Sequence, residues 1–147
     1  MPDLTITRVF DAPRELVFSA WTDPDRLASW LGPKGFTAPS VTLDTRPGGG
    51  WRACIRNETH GDEHWMHGVY REISTPERLV FSFSWDTEGD MRAETLVTIT
   101  FADLGGKTEM TFHQAGFPTE PIRDDHHGGW TESFDDLAAY LPRRDKR

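Results

Sequence analysis

From Trp51 to Gln114 apolar and polar residues alternate along the chain, and after Gly116 the apolar spacing lengthens to three or four. The first pattern predicts half-buried strands and the second an amphipathic helix. Trp51, Ala53 and Ile55 share one strand face, with Arg52, Arg56 and Glu58 on the other. Leu79, Phe81, Phe83 and Trp85 alternate with Val80, Ser82 and Ser84. Val97, Ile99 and Phe101 alternate with Thr98 and Thr100, and Met110 and Phe112 with Glu109, Thr111 and His113. Strands are therefore expected over 51–58, 64–74, 79–85, 93–102 and 108–114. Turn residues separate them: Pro47-Gly48-Gly49-Gly50, the T-H-G-D-E segment, Pro76-Glu77 and Asp103 to Gly106.

Two further strands are predicted at Leu4 to Phe10 and Phe36 to Thr45, both rich in Thr, Ile, Val or Phe. Two short helices lie between them. Pro13 starts the first, P-R-E-L-V-F-S-A-W. Thr22 or Asp23 caps the second, Pro24 opens it, L-A-S-W-L gives it an apolar face, and Gly32-Pro33 stops it. The last helix is predicted over 119–141, with Thr119 as cap and Pro121 in its first turn. Ile122, His126, Trp130, Phe134 (or Ser133), Leu137 and Leu141 form its inward stripe. The basic tail P-R-R-D-K-R is expected to fray. The order β-α-α-β-β-β-β-β-β-α defines an α+β chain of seven antiparallel strands, joined as a meander from the second strand onward. One face of that sheet is solvated, and the other curls around the last helix.

Composition narrows the function. At 147 residues the chain is expected to form one domain over 1–147. Its net charge of −8 argues against nucleic acid and anionic membranes as partners. Cys54 is the only cysteine, which fits a reducing cytoplasm. The opening M-P-D-L-T-I-T-R is not an apolar signal region, and no run approaches the ~18 apolar residues of a membrane span. Six tryptophans and nine phenylalanines are enough to fill a core or to line an apolar cavity.

Few residues suggest chemistry. His60, His64 and His67 surround Asp62 and Glu63, but on a strand His64 and His67 point to opposite faces. A solvated turn is the preferred reading, and neither a metal nor a cofactor is expected. His126 stands one helical turn before Trp130 and shares its inward face, at a cavity rim. Arg71, Glu72, Gln114 and Thr108 are the polar candidates for an interior site. Glu72 is either a buried acid beside Tyr70 or, the favoured reading, an exposed residue paired with an arginine on the neighbouring strand. Gly48-Gly49-Gly50 leads into a strand, so it is not a phosphate loop. No nucleophile–base pair stands out, and no catalytic residue is assigned. The candidate cavity wall comprises Trp30, Phe36, Trp51, Met66, Phe83, Trp85, Phe112, Trp130 and Phe134, with Tyr70 and His126 as polar anchors. A single β-bulge would flip every later side chain in a strand.

Several strings carry a family resemblance. They are R-V-F-D-A-P-R-E-L-V-F-S-A-W-T-D-P at 8–24, W-L-G-P at 30–33, P-G-G-G-W-R at 47–52, H-G-V-Y-R-E-I at 67–73, P-E-R-L-V-F-S-F-S-W at 76–85 and G-W-T-E-S-F-D-D-L-A-A-Y-L at 129–141. In this order, over nearly the whole chain, they resemble the SRPBCC superfamily, also called START-like or birch-pollen-allergen-like. The resemblance is strongest to the stand-alone branch named after the activator of the heat-shock-protein-90 ATPase. It implies a helix-grip fold, a curved antiparallel sheet gripping the C-terminal helix with a cavity between them. It leaves no room for the extra N-terminal domain of the eukaryotic co-chaperone, so ATPase activation is not expected. Three functions stay open. One is a cytoplasmic binding protein for a small hydrophobic or amphipathic molecule. The second is a cyclase-, dehydratase- or hydrolase-like enzyme using the same cavity. The third is a partner-binding or stress-response regulatory module with no small ligand, for which a homodimer is one form.

Overall fold

The computed structural model describes residues 2–145, with side chains through Leu141. Strand β1 (Asp3–Phe10) leads to helices α1 (Arg14–Thr22) and α2 (Pro24–Ala28). Six strands follow: β2 (Phe36–Leu43), β3 (Gly50–Asn57), β4 (Glu63–Ser74), β5 (Arg78–Trp85), β6 (Thr95–Asp103) and β7 (Thr108–Ala115). Helix α3 (Glu120–Asp145) ends the described chain. The helix continues through 142–145 of the segment expected to fray, and Lys146 and Arg147 lie outside the described residues.

The seven strands form one antiparallel sheet in the order β1-β7-β6-β5-β4-β3-β2, curled into a half-barrel around α3. The meander holds from β2 to β7. β1 then adds beside β7, pairing Leu4 with Gln114 and Phe10 with Thr108. β1 and β2 thus occupy opposite edges, and α1 and α2 span the gap between them. Asp23 caps α2 by accepting from the backbone amides of Asp25 and Arg26 at 3.0 and 3.2 Å. The helix stops at Ala28, so Trp30 and Leu31 are held by the turn that follows, with the Trp30 indole donating to the Ala20 carbonyl at 3.0 Å.

The alternation read from the sequence sorts the two faces. Trp51, Met66, Tyr70, Leu79, Phe81, Phe83, Val97, Ile99, Phe101, Met110 and Phe112 are all buried. A bulge on β4 governs Glu72. Tyr70 pairs with Phe81 but Glu72 pairs with Val80, leaving Arg71 as the extra residue. The shift turns Glu72 away from Tyr70. Its carboxylate meets Arg78 at 3.2 Å and accepts from the Ser74 hydroxyl at 3.0 Å. Glu72 is therefore the arginine-paired strand residue and not a buried acid, and Arg71 is exposed. Gln114 and Thr108 are buried, with the Thr108 hydroxyl donating to the Ala12 carbonyl at 2.7 Å.

One glycine is fixed by close approach. The Trp51 indole crosses β4 to donate to the Ser82 carbonyl on β5 at 3.0 Å. A Cβ on Gly68 would lie 1.8 Å from that carbonyl oxygen and 2.5 Å from the indole nitrogen. Gly128 on α3 is the opposite case, with nothing within 4 Å of an added Cβ. Gly68→Ala should destabilise the protein by about 3 kcal/mol or more, the upper range for overpacking. Gly128→Ala should stabilise it by up to ~1 kcal/mol through helix propensity. Urea melts of both variants check the pair, and an unchanged midpoint for Gly68→Ala would refute this packing.

Candidate functional site

The inward stripe of α3 meets the sheet in two different ways along its length. Towards its C-terminal half the contact is solid. Trp21, on the inner face of α1, packs within 4.9 Å of Trp30, 6.0 Å of Phe112, 5.9 Å of Trp130 and 6.0 Å of Phe134, centroid to centroid. Phe112 and Trp130 approach to 4.8 Å. These rings interlock in a mixture of edge-to-face, tilted and stacked contacts. Trp30, Phe112 and Phe134 therefore belong to this plug and border neither the main cavity nor the two spaces that flank it. The sequence reading had them as cavity wall because it did not count Trp21. Its spacing from Val17 and Phe18 on α1 was the available signal.

Towards the N-terminal half of α3 the contact opens. A cavity of about 140 Å³ lies between the helix and strands β3 to β5. From α3 it is bordered by Asp125, His126, Gly129, Trp130 and Ser133, one i, i+3, i+4, i+7 stripe with its neighbour Asp125. The sheet contributes Ile55, Met66, Phe83 and Trp85, and the turn after α2 contributes Leu31, Gly32 and Pro33. Met91, on a short 3-10 helix over Gly89–Arg92, covers the mouth and is 36% exposed. The cavity is smaller than the ~300–1,000 Å³ typical of drug-sized ligands. The aromatic plug is the physical reason.

Two further spaces flank it. An inner void of about 30 Å³ is bordered by Trp21, Trp51, Met66, Tyr70 and Phe81, among others. It shares Leu31, Met66 and Trp130 with the main cavity. An outer hollow of about 520 Å³ carries Phe36, Glu63, His64, Trp65 and Asp86, and shares Ile55, Trp85 and Met91. The candidate residues thus separate. Met66, Phe83, Trp85, His126 and Trp130 border the main cavity. Trp51 and Tyr70 border the inner void, and Phe36 borders the outer hollow. Ile55, Met91, Gly129 and Ser133 were not anticipated. Gly129 and Ser133 were legible in principle, since they share the spacing of His126 and Trp130.

The three histidines before β4 and on it do not converge. His64 faces Phe36 and Trp85, whereas His67 pairs with Asp86 on the other face. His60 lies in the exposed turn, its amide capped by the Asn57 side chain at 3.0 Å. Among the described residues no three His, Cys, Asp or Glu side chains group as metal ligands.

His126 sets the electrostatics of the cavity. It is 9% exposed and stands against the rings of Phe83, Trp85 and Phe117 at 5.5, 5.9 and 4.9 Å. Its Nε2 accepts from the Trp85 indole at 3.0 Å. Burial drives its pKa from the ordinary 6.5 down to about 4, against a smaller opposing pull from the Asp125 carboxylate. The other residues packed against the ring, on β5 and at Phe117, carry no titratable group. Tyr70, at the inner void, is pushed up to about 12 by burial, with a hydrogen bond to Thr45 opposing the rise. Both groups are neutral at pH 7.

The folded imidazole holds off its proton until about pH 4, while the unfolded one takes it near 6.5. Between those values the unfolded chain binds the extra proton, so stability falls as pH falls. The wild-type protein should lose roughly 3 kcal/mol more than His126→Gln between pH 7 and pH 4, where the amide keeps an acceptor for Trp85. Denaturant melts across that range check it. Parallel stability curves for the two proteins would show that His126 is not buried in neutral form.

Comparison with known proteins agrees with this architecture. The family profile of Activator of Hsp90 ATPase homolog 1-like proteins matches residues 11–142. A crystal structure of a Chromobacterium violaceum protein is 31% identical, covers 95% of this chain and 96% of its own, and superposes with a TM-score of 0.88. The AHSA1 protein from Silicibacter pomeroyi is 26% identical over 97% of this chain and 99% of its own, with a TM-score of 0.85. An AHSA1-like protein from Aeromonas hydrophila, at 21% identity and a TM-score of 0.79, covers 97% of this chain and 94% of its own and shows the shared fold alone. None of the curated proteins matches the chain. No helix among the described residues is long and apolar enough to cross a membrane. With its curled seven-stranded sheet gripping α3, the chain belongs to the Activator of Hsp90 ATPase homolog 1-like family, within the SRPBCC superfamily.

Proposed function

We propose that this protein binds a small hydrophobic or amphipathic molecule in the cavity between the sheet and α3. The observation that carries the reading is the cavity's own lining. About 140 Å³ of space is bordered by Met66, Phe83, Trp85 and Trp130, with polar groups only at His126, Ser133 and the exposed Asp125. Apolar space of this size is held open at a cost in lost contacts, and a ligand that fills it regains them. The outer hollow beside Met91 supplies a route in. Met66, Phe83, Trp85, His126 and Trp130 are the ligand-contacting residues in this reading. The lone cysteine, Cys54, is buried and free, which supports a reducing, cytoplasmic setting. A catalytic reading has less support. Burial lowers the His126 pKa to about 4, which makes it a weak base, and the Ser133 hydroxyl at the wall donates to the Gly129 carbonyl and not to His126.

Gly129 makes the test clean. An added Cβ there has nothing within 4 Å, and the residue borders the cavity. The Cβ of Gly129→Leu thus has room, its longer side chain should fill the void, and replacing a helical glycine should also raise stability. Toluene should bind the wild-type protein with a Kd below ~1 mM, or about −4 kcal/mol, reasonable for seven heavy atoms. It should shift the Met66 methyl resonance on binding. Gly129→Leu should abolish that shift while the protein stays folded by circular dichroism. A Met66 methyl that toluene leaves unmoved in the wild type would overturn the reading.

A further inference from the structure

Every side-chain hydrogen-bond donor that borders the main cavity can be followed to its acceptor. The Trp130 indole donates to the Gln114 carbonyl oxygen at 2.9 Å. The Ser133 hydroxyl donates to the Gly129 carbonyl at 3.0 Å and accepts from the Gly32 amide at 3.2 Å. The Trp85 indole donates to His126 Nε2 at 3.0 Å. No lysine or arginine borders the space. What is left is His126.

The Trp85 contact settles which ring nitrogen carries the proton. An indole N–H can only donate, so Nε2 must present its lone pair. In a neutral imidazole the proton then sits on Nδ1. Nδ1 has no hydrogen-bond partner among the described residues. It is not sealed either: the buried side-chain nitrogens left unpartnered among the described residues are Arg14 Nε and Trp21 Nε1. Nδ1 keeps contact with accessible space, and the His126 ring borders the cavity.

The remaining wall disfavours an anion, and a protonated amine has no lone pair for Nδ1–H to meet. Asp125 puts a carboxylate at the mouth, and no cation faces it across the cavity. An anionic ligand would lose its hydration and gain one neutral donor in exchange. Size adds a second limit. A protein cavity near 150 Å³ holds one benzene ring. From these observations we infer that His126, held by Trp85 with its Nδ1–H free, is the specificity-determining donor of the cavity, and that the ligand is a neutral molecule with an apolar body about one ring in size and a single acceptor oxygen or nitrogen, such as a ketone, ester or ether. This deepens the binding reading above and rests on it. Trp85 is a positioning residue, acting through the tautomer it imposes.

Two isosteric probes test it: acetophenone, with a carbonyl, and α-methylstyrene, with a methylene in its place. Calorimetry on the full chain should show both binding, acetophenone about tenfold more tightly, as one net hydrogen bond allows. Benzoate should bind at least about a hundredfold more weakly than acetophenone. His126→Phe should level the two neutral probes without abolishing either. Nitrogen-15 spectra of the wild-type imidazole should report a proton on Nδ1, and Trp85→Phe should release that preference and shrink the acetophenone advantage. Equal affinity for the two neutral probes, tight benzoate binding, or a wild-type proton on Nε2 would each overturn the donor assignment while leaving the cavity reading intact. Failure of both neutral probes to bind would overturn both.

Discussion

The indole of Trp130 holds the last helix to the sheet, and the position of everything else in the cavity follows from it. Its N–H meets the side-chain oxygen of Gln114, which is wholly buried. The Gln114 amide donates on to the Thr95 hydroxyl at 2.9 Å, and that hydroxyl donates to the Phe83 carbonyl at 3.2 Å. The relay crosses from α3 through β7 and β6 to β5. A buried amide with both ends satisfied adds little net stability, but one left unpaired costs its desolvation in full, about 1–3 kcal/mol. The relay thus penalises any slide of α3 along the sheet. It fixes the height of His126, Gly129 and Ser133 opposite Phe83 and Trp85. Outside the half-barrel, Arg8 on β1 reaches Asp135 on α3 at 2.6 Å, a second tie at the helix's other flank.

From this anchor the sheet and helix diverge. On the C-terminal side Trp21 fills the angle between α1, the sheet and α3, so the core there is closed. On the N-terminal side nothing comparable enters. Gly129 supplies no side chain, and Phe83 and Trp85, edge to face with each other at 5.3 Å, meet the helix at His126 and Trp130 instead. The void is the result of one missing side chain between those contacts. Its single buried ionisable group is kept neutral by the same exclusion of water that keeps the cavity apolar.

Much of the fold was legible. The strict alternation of Trp51-Ala53-Ile55, Leu79-Phe81-Phe83-Trp85 and Val97-Ile99-Phe101 placed each strand and chose its inner face. Thr119 was readable as the cap of α3, and its hydroxyl accepts from the Ile122 amide at 3.3 Å. The side of Glu72 was not, because it depends on a bulge at Arg71 that no residue type announces. The site was legible in part. Met66, Phe83, Trp85, His126 and Trp130 sit on faces that periodicity assigns. That Trp30, Phe112 and Phe134 would be sealed off depends on Trp21, which for Phe112 and Phe134 is a contact between α1 and elements more than ninety residues away. Periodicity reports which face a residue takes, not which distant ring will meet it. α3 runs unbroken through Gly128 and Gly129, and the space beside Gly129 is the cavity.

The central claim is that apolar space beside His126 is open to a guest, and xenon reads it most directly, because the gas enters apolar voids and needs no chemical complement. A crystal pressurised with xenon should show the atom between α3 and β5, touching Phe83, Met66 and Trp130, at the 140 Å³ cavity. Well-diffracting pressurised crystals with that position empty, and Phe83 or Trp85 folded across it, would contradict the account.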